Sequence, residues 1–273
     1  IGPETKHSIH PDSAMLIESK LNALARRGRQ QLPREIRFST YTLKYNQMFW
    51  VTVTSLEEHW KEVRVRAQMD AGLNQIELET RNATGLKFSI PTGSSPFDLT
   101  RRVVVIVDGQ IVKAERPQTD LSWDAELHLQ GDEWKLGPAP AEGIRKKHNL
   151  QGPIDDAFMD SFVVVRPTGT SKHEAVQNWT TSELQHTVEQ WRKQFRGDAV
   201  VKDDSAISDK DIASSNLVLF GDPASNSVLA RLIEKLPIAW SDDVVRVGKQ
   251  SFDAAHHAPI LIYPNPLNPE RYV

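Results

Sequence analysis

The chain contains no cysteine. That removes thiol catalysis, disulfides and any thiolate-held zinc site, and it leaves the cellular compartment open. No apolar run approaches the ~18 residues that a membrane-spanning helix needs, and no secretion signal pattern opens the sequence. A basic excess is missing too: 33 Lys and Arg stand against 36 Asp and Glu, a net charge of −3. That balance argues against a dedicated nucleic-acid binder. The pairs Arg26-Arg27 and Lys146-Lys147 are isolated and read as solvated surface. Finally, no Gly-x-Ser-x-Gly string occurs anywhere, so the nucleophile elbow of α/β-hydrolases is lacking. We find no internal repeat and no low-complexity tract.

What is present is ordinary for a folded chain: 39% hydrophobic and 25% charged residues. At 273 residues, more than one domain is expected. Met15, Leu16, Leu21, Leu24 and Ala25 recur at helical spacing, predicting one amphipathic helix over 13–29. Asp12 or Ser13 is placed to cap its start and Gly28 to stop it. After Pro33 the texture changes to short strands, predicted over 38–43, 49–53, 62–69, 75–80, 85–90, 103–107, 111–113 and 123–129. Asp108-Gly109 between two of them is the strongest hairpin signal. Short strands with regular turns predict an antiparallel β-sandwich, with Trp50, Trp60 and Trp123 in or near its core.

The stretch Gly137-Pro138-Ala139-Pro140-Ala141-Glu142-Gly143 reads as a linker. Beyond it, strands over 162–166, 216–221, 244–247 and 259–263 alternate with helices over 174–195 and 227–235. That alternation predicts an open, mostly parallel α/β domain. The expected fold class is therefore α+β and multidomain. It comprises a loop and helix (1–33), a β-sandwich (34–137) and an α/β domain (141–273).

Several groups invite a chemical reading. His7 and His10 precede the first helix in a loop, where a serine hydrolase keeps its general base; two exposed loop histidines are the alternative. Without a serine and its oxyanion hole, a histidine cannot perform acyl transfer. Gly221, Asp222, Ser225 and Asn226 lie between a strand and a helix, where an α/β sheet places ligands. One glycine is too few for a dinucleotide fingerprint, and a structural turn capped by Ser225 or Asn226 is the other reading. Asp155, Asp156 and Asp160 crowd one loop, as do Asp203, Asp204, Asp209 and Asp211, but neither has EF-hand spacing. His256 and His257 are adjacent and point apart, so no metal site and no cofactor is expected. Asn82-Ala83-Thr84 and Asn178-Trp179-Thr180 match the short glycosylation sequon. Pro264, Pro266 and Pro269 predict a rigid tail.

Four stretches together resemble one type of protein. They are Thr40-Tyr41-Thr42-Leu43-Lys44-Tyr45-Asn46 with Trp50-Val51, then Leu150-Gln151-Gly152-Pro153-Ile154-Asp155-Asp156-Ala157-Phe158, the segment 216–226, and 262–272. They look like the C-terminal region of large bacterial prolyl-oligopeptidase-like proteins. Those are α/β-hydrolase-fold serine peptidases or esterases, usually exported. The resemblance implies that the catalytic histidine comes last, just before a terminal helix. Only that histidine falls in this chain, at His7 or, as the alternative, His10. Lys6 stands where the family often has glycine. The serine and aspartate would belong to an upstream hydrolase domain, and the chain alone would be inactive. The order of segments thus predicts a piece of a larger exported enzyme with accessory domains. A non-catalytic module binding a glycan, the cell envelope or a protein is the other expectation; in either case peptide, ester or glycan ligands are the candidates.

Overall fold

A computed structural model describes residues 7–140 and 143–273. The first six residues of the predicted histidine loop, and 141–142 of the predicted linker, lie outside the described residues. The chain forms two compact units, Ile1–Gly143 and Ile144–Val273. Its class is mixed α and β.

Helix α1 spans Pro11–Arg27. Proline suits the first helical position because its fixed φ is already helical and its missing N–H is not needed there. The cap is therefore His10, not Asp12 or Ser13: its Nδ1 accepts the Asp12 N–H at 3.3 Å. Gly28 ends the helix at φ +71, donating its N–H to Leu24 O at 3.0 Å. No residue of α1 is buried.

The strands of the first unit are β1 (Glu35–Thr40), β2 (Gln47–Met48), β3 (Val51–Leu56), β4 (Val63–Asp70) and β5 (Gln75–Arg81), followed by β6 (Ala83–Ile90), β7 (Val104–Val107), β8 (Gln110–Lys113), β9 (Trp123–Gln130) and β10 (Glu133–Leu136). They make two five-stranded sheets, ordered β1-β4-β5-β7-β8 and β10-β9-β6-β3-β2. Every pairing is antiparallel except β5 with β7. The period of two is clearest in β4, where Val63, Val65, Ala67 and Met69 are buried while Arg64, Arg66 and Gln68 face out. Both sheets contribute to one core, among them Val65, Leu78 and Val105 from one and Val53, Leu86 and Leu127 from the other.

Local chemistry accounts for the details. The β7–β8 turn is Asp108-Gly109 with φ of +51° and +80°, as a two-residue type I′ hairpin requires. The predicted 38–43 strand stops at Thr40 because the chain coils into a 3₁₀ turn over Leu43–Tyr45. Thr42 caps that turn, its hydroxyl accepting the Lys44 N–H at 3.1 Å. Trp60 does not join the core: it sits at φ +67°, 47% exposed, in the turn before β4. Strand β10 was not foreseen, since only Trp134 in it is buried and so short a segment has no visible period.

In the second unit, β11 (Phe162–Arg166), α2 (Glu174–Phe195), β12 (Val201–Asp203), α3 (Asp209–Ser214) and β13 (Asn216–Leu219) follow in order. The three strands form a parallel sheet, β12-β11-β13. Its central strand buries Val163, Val164 and Val165 in succession, as a strand covered on both faces must. Next come α4 (Ser227–Leu232) and β14 (Ile238–Trp240), β15 (Val244–Val247) and β16 (Gln250–Asp253), a separate antiparallel sheet. The hairpin β17 (Pro264–Asn265) and β18 (Asn268–Tyr272) ends the chain.

The parallel arrangement is thus confined to three strands, short of the open, mostly parallel sheet expected. Val244–Val247 is a strand, but an antiparallel one. The predicted strand over 259–263 is irregular backbone. Pro259 and Pro264 bracket it and lack the N–H that a ladder needs. The proline-rich tail, read as a rigid connector, makes a hairpin instead. No helix among the described residues is long and apolar enough to cross a membrane.

Candidate functional site

His7 is exposed and makes no hydrogen bond to another described residue. His10, three residues on, is occupied as the cap of α1. Among the described residues, His7 has no serine or carboxylate partner. The carboxylate beside His10, Asp12 Oδ2 at 3.7 Å from Nδ1, belongs to the first turn of the helix that His10 caps, and no described serine completes a catalytic pair there. Beside this loop, α1 carries Met15, Leu16, Leu21 and Leu24 at 73%, 58%, 58% and 52% exposure.

The strand-to-helix turn at 221–226 is built from its own side chains. Asn226 is fully buried and caps α4, its Oδ1 accepting the N–H of Val228 at 3.0 Å and Leu229 at 3.1 Å. Its amide donates back to Phe220 O at 2.8 Å. The Asp222 carboxylate accepts from Ser225 N–H at 2.8 Å and Ser225 Oγ at 2.7 Å, and from the Ser171 hydroxyl. Burial pushes the Asp222 carboxyl up, but the Ser171 and Ser225 hydrogen bonds outweigh it and hold it below the ordinary 3.8. Gly221 sits at φ +99°, and a Cβ there would lie 2.6 Å from Ser225 Oγ. These polar atoms are spent on each other, so the geometry accounts for Asp222, Ser225 and Asn226 as a turn.

The acidic loops are similarly engaged. Asp156 is buried and accepts from Tyr272 Oη at 2.5 Å, while that oxygen accepts the Gly152 N–H at 2.9 Å. Burial first, and the bond to Asp156 second, push the Tyr272 hydroxyl well above its ordinary range. Asp160 pairs with Arg271 at 2.5 Å and Asp203 with Arg166 at 2.6 Å. His257 Nδ1 lies 3.0 Å from the Asp253 carbonyl. Among the described residues, no group of three or more His, Asp and Glu side chains is placed to hold a metal ion.

Two carboxylates lock this unit together and carry a pH signature. Asp204 bridges the N–H groups of Thr168 at 2.9 Å and Ser227 at 2.6 Å, tying the end of β11 to the start of α4. Burial opposes its charge, yet the bonds from Ser227 and Thr168 prevail and bring it to about 2. Asp211 is held at about 2 by Lys202 Nζ at 2.7 Å, then by Ser208. Both folded values lie below the unfolded ~3.9, so their stabilisation is complete above about pH 4. It is lost as pH falls through about 2. The urea midpoint of this unit should therefore drop between pH 4 and pH 2, and drop less in Asp204→Asn. Equal declines in both proteins would remove the assignment to Asp204.

A cleft of about 300 Å³ opens in the second unit along β13 and past its end. Gly221 lines it; Asp222 instead borders a separate hollow of about 40 Å³, together with Lys172 and His173. One face of α2 supplies Trp179, Glu183 and Thr187, spaced one turn apart, and the small antiparallel sheet supplies Trp240. The irregular 258–262 stretch completes the wall. Sequence reasoning missed this cleft, because an apolar 258–262 run reads as a strand and an isolated Trp on a helix reads as core. The available signal was the i, i+4, i+8 spacing of Trp179, Glu183 and Thr187. In the first unit, by contrast, Trp50, Trp123 and Trp134 are buried. A comparison of the chain with protein families, curated proteins and solved structures finds no match in any of the three.

Proposed function

We propose that this chain is the C-terminal accessory portion of an exported serine hydrolase and is inactive alone. Helix α1 packs on an upstream hydrolase domain, and the loop before it delivers His7 to that domain's serine. There His7 takes the serine proton and returns it to the leaving group. The observation that carries this reading is the apolar stripe Ile17, Leu21 and Leu24 on one face of α1, exposed at 39%, 58% and 52%, close in sequence to a histidine with no partner among the described residues. Large apolar side chains at i, i+4 and i+7 on a helix are normally buried. The quoted resemblance gives the covering surface its chemistry, and the two following units are then accessory domains.

The test is labelling with a fluorophosphonate probe. The 273-residue chain should take up no label and hydrolyse no ester. The longer protein that includes the upstream domain should label there. Label on the 273-residue chain itself, lost in His7→Ala, would overturn the proposal.

A further inference from the structure

We propose that the cleft along β13 is a binding site for a small hydrophobic amine: an apolar, ring-sized body with one cationic nitrogen. The inference is independent of the hydrolase reading and rests on the second unit alone. A cleft of about 300 Å³ lies at the small end of ligand sites, which run from ~300 to ~1,000 Å³. It holds one ring and a short chain, and it is too small for a helix, whose diameter with side chains is ~10 Å. Its lining is apolar apart from Glu183 and Thr187, so most of an occupant's surface would be hydrocarbon.

The charge argument selects the occupant. Among the described residues Glu183 is the one charged side chain on the wall, partly buried and without an ion pair. A carboxylate among apolar walls favours a cation and repels an anion, and more strongly than in water because the local dielectric is lower. Trp179 and Trp240 add ring faces, which attract ammonium groups through their quadrupole. Thr187, one turn from Glu183, offers a hydroxyl acceptor to the same nitrogen. The apolar rim is open to solvent, with Trp179, Ile154 and Ile260 at 44%, 46% and 75% exposure. Apolar surface of that kind around a cleft is a mark of binding sites.

The experiment is calorimetric titration of the full chain with 4-phenylbutylamine, 4-phenylbutanol and 4-phenylbutyrate. These probes share a phenylalkyl body of nearly equal length and carry a cationic, a neutral and an anionic end group. The amine should bind best, the alcohol about tenfold more weakly, and the acid not measurably. In Glu183→Gln, a near-isosteric change, the amine should fall to the alcohol's affinity while the alcohol is unchanged. Trp179→Ala should weaken amine and alcohol alike, which separates lost hydrophobic contact from lost charge. No saturable binding of the amine at millimolar concentration would overturn the proposal, as would equal affinities for all three probes. It would also fail if the chain self-associates through this cleft, so that Ile260→Glu makes it monomeric and the amine never binds.

Discussion

Trp123→Ala should destabilise the sandwich by about 3–5 kcal/mol, the usual cost of removing a large buried ring from a core. Trp123 is 1% exposed and sits in a row of aromatic rings that runs from β9 across β6 to the start of β3, within one sheet. Its ring stacks on Phe88 at 6.0 Å and meets Phe97 edge-on at 5.5 Å, and Phe88 in turn contacts Trp50 at 6.2 Å. The indole N–H donates to the Glu115 carbonyl at 2.8 Å, so truncation strands that acceptor as well. Domains of this size hold only ~5–15 kcal/mol in total, so the variant should lose a large part of it. Urea unfolding followed by far-UV circular dichroism would register a midpoint lower by about 2 M for the sandwich. Trp123→Phe keeps a six-membered ring in the stack but loses the N–H bond and leaves a smaller void, so it should cost less, about 1–3 kcal/mol. A loss below about 1 kcal/mol for the alanine variant would mean the ring is not a core element.

How far the sequence reveals this fold depends on how local each determinant is. The sandwich strands were legible because their determinants sit two residues apart: Val63, Val65, Ala67 and Met69 announce β4 directly. The Asp108-Gly109 hairpin needs only two residues with positive φ, and those residue types disclose it. Trp60 could not be read the same way, since its exposure follows from a turn backbone that its neighbours set. In the second unit the apolar run of β11 was legible as a covered strand, but the extent of the sheet was not. Whether 259–263 joins a ladder depends on prolines and on partners distant in sequence. The result is a parallel core of three strands beside two small antiparallel sheets.

The candidate site shows the same division. Asn226 could be named as a cap because capping is a matter of residue type and of the next three residues. Asp222 and Ser225 were placed in the right turn, but burial and the Ser171 hydroxyl absorb them, and Ser171 is 51 residues away. The cleft depends on α2, β13, β14 and the 258–262 segment meeting in space. No single stretch of the chain contains it. Glu183 therefore passes for an ordinary surface carboxylate until the fold sets it among apolar walls.

The largest functional effect is expected at His7. In the longer hydrolase that the proposed function requires, His7→Ala should lower kcat/KM by about 10⁴-fold or more, the scale on which a triad's base is lost. KM should change little, because the imidazole moves a proton and contributes little to holding the substrate in the ground state. His10→Ala is the internal control. His10 Nδ1 accepts the Asp12 N–H as the cap of α1, and that bond leaves the imidazole fixed against the helix start. Its loss should cost about 0.5–2 kcal/mol of local helix stability and no more than tenfold in rate. His10→Asn, which restores a capping side chain, should recover that stability. His7→Asn should recover no activity, since an amide cannot cycle a proton. If instead His10→Ala abolishes turnover and His7→Ala does not, the base is the cap residue, and the helix start would have to rearrange in the assembled enzyme. If both variants remain within tenfold of the parent, the loop before α1 is no part of the catalytic machinery and the hydrolase reading of this chain fails.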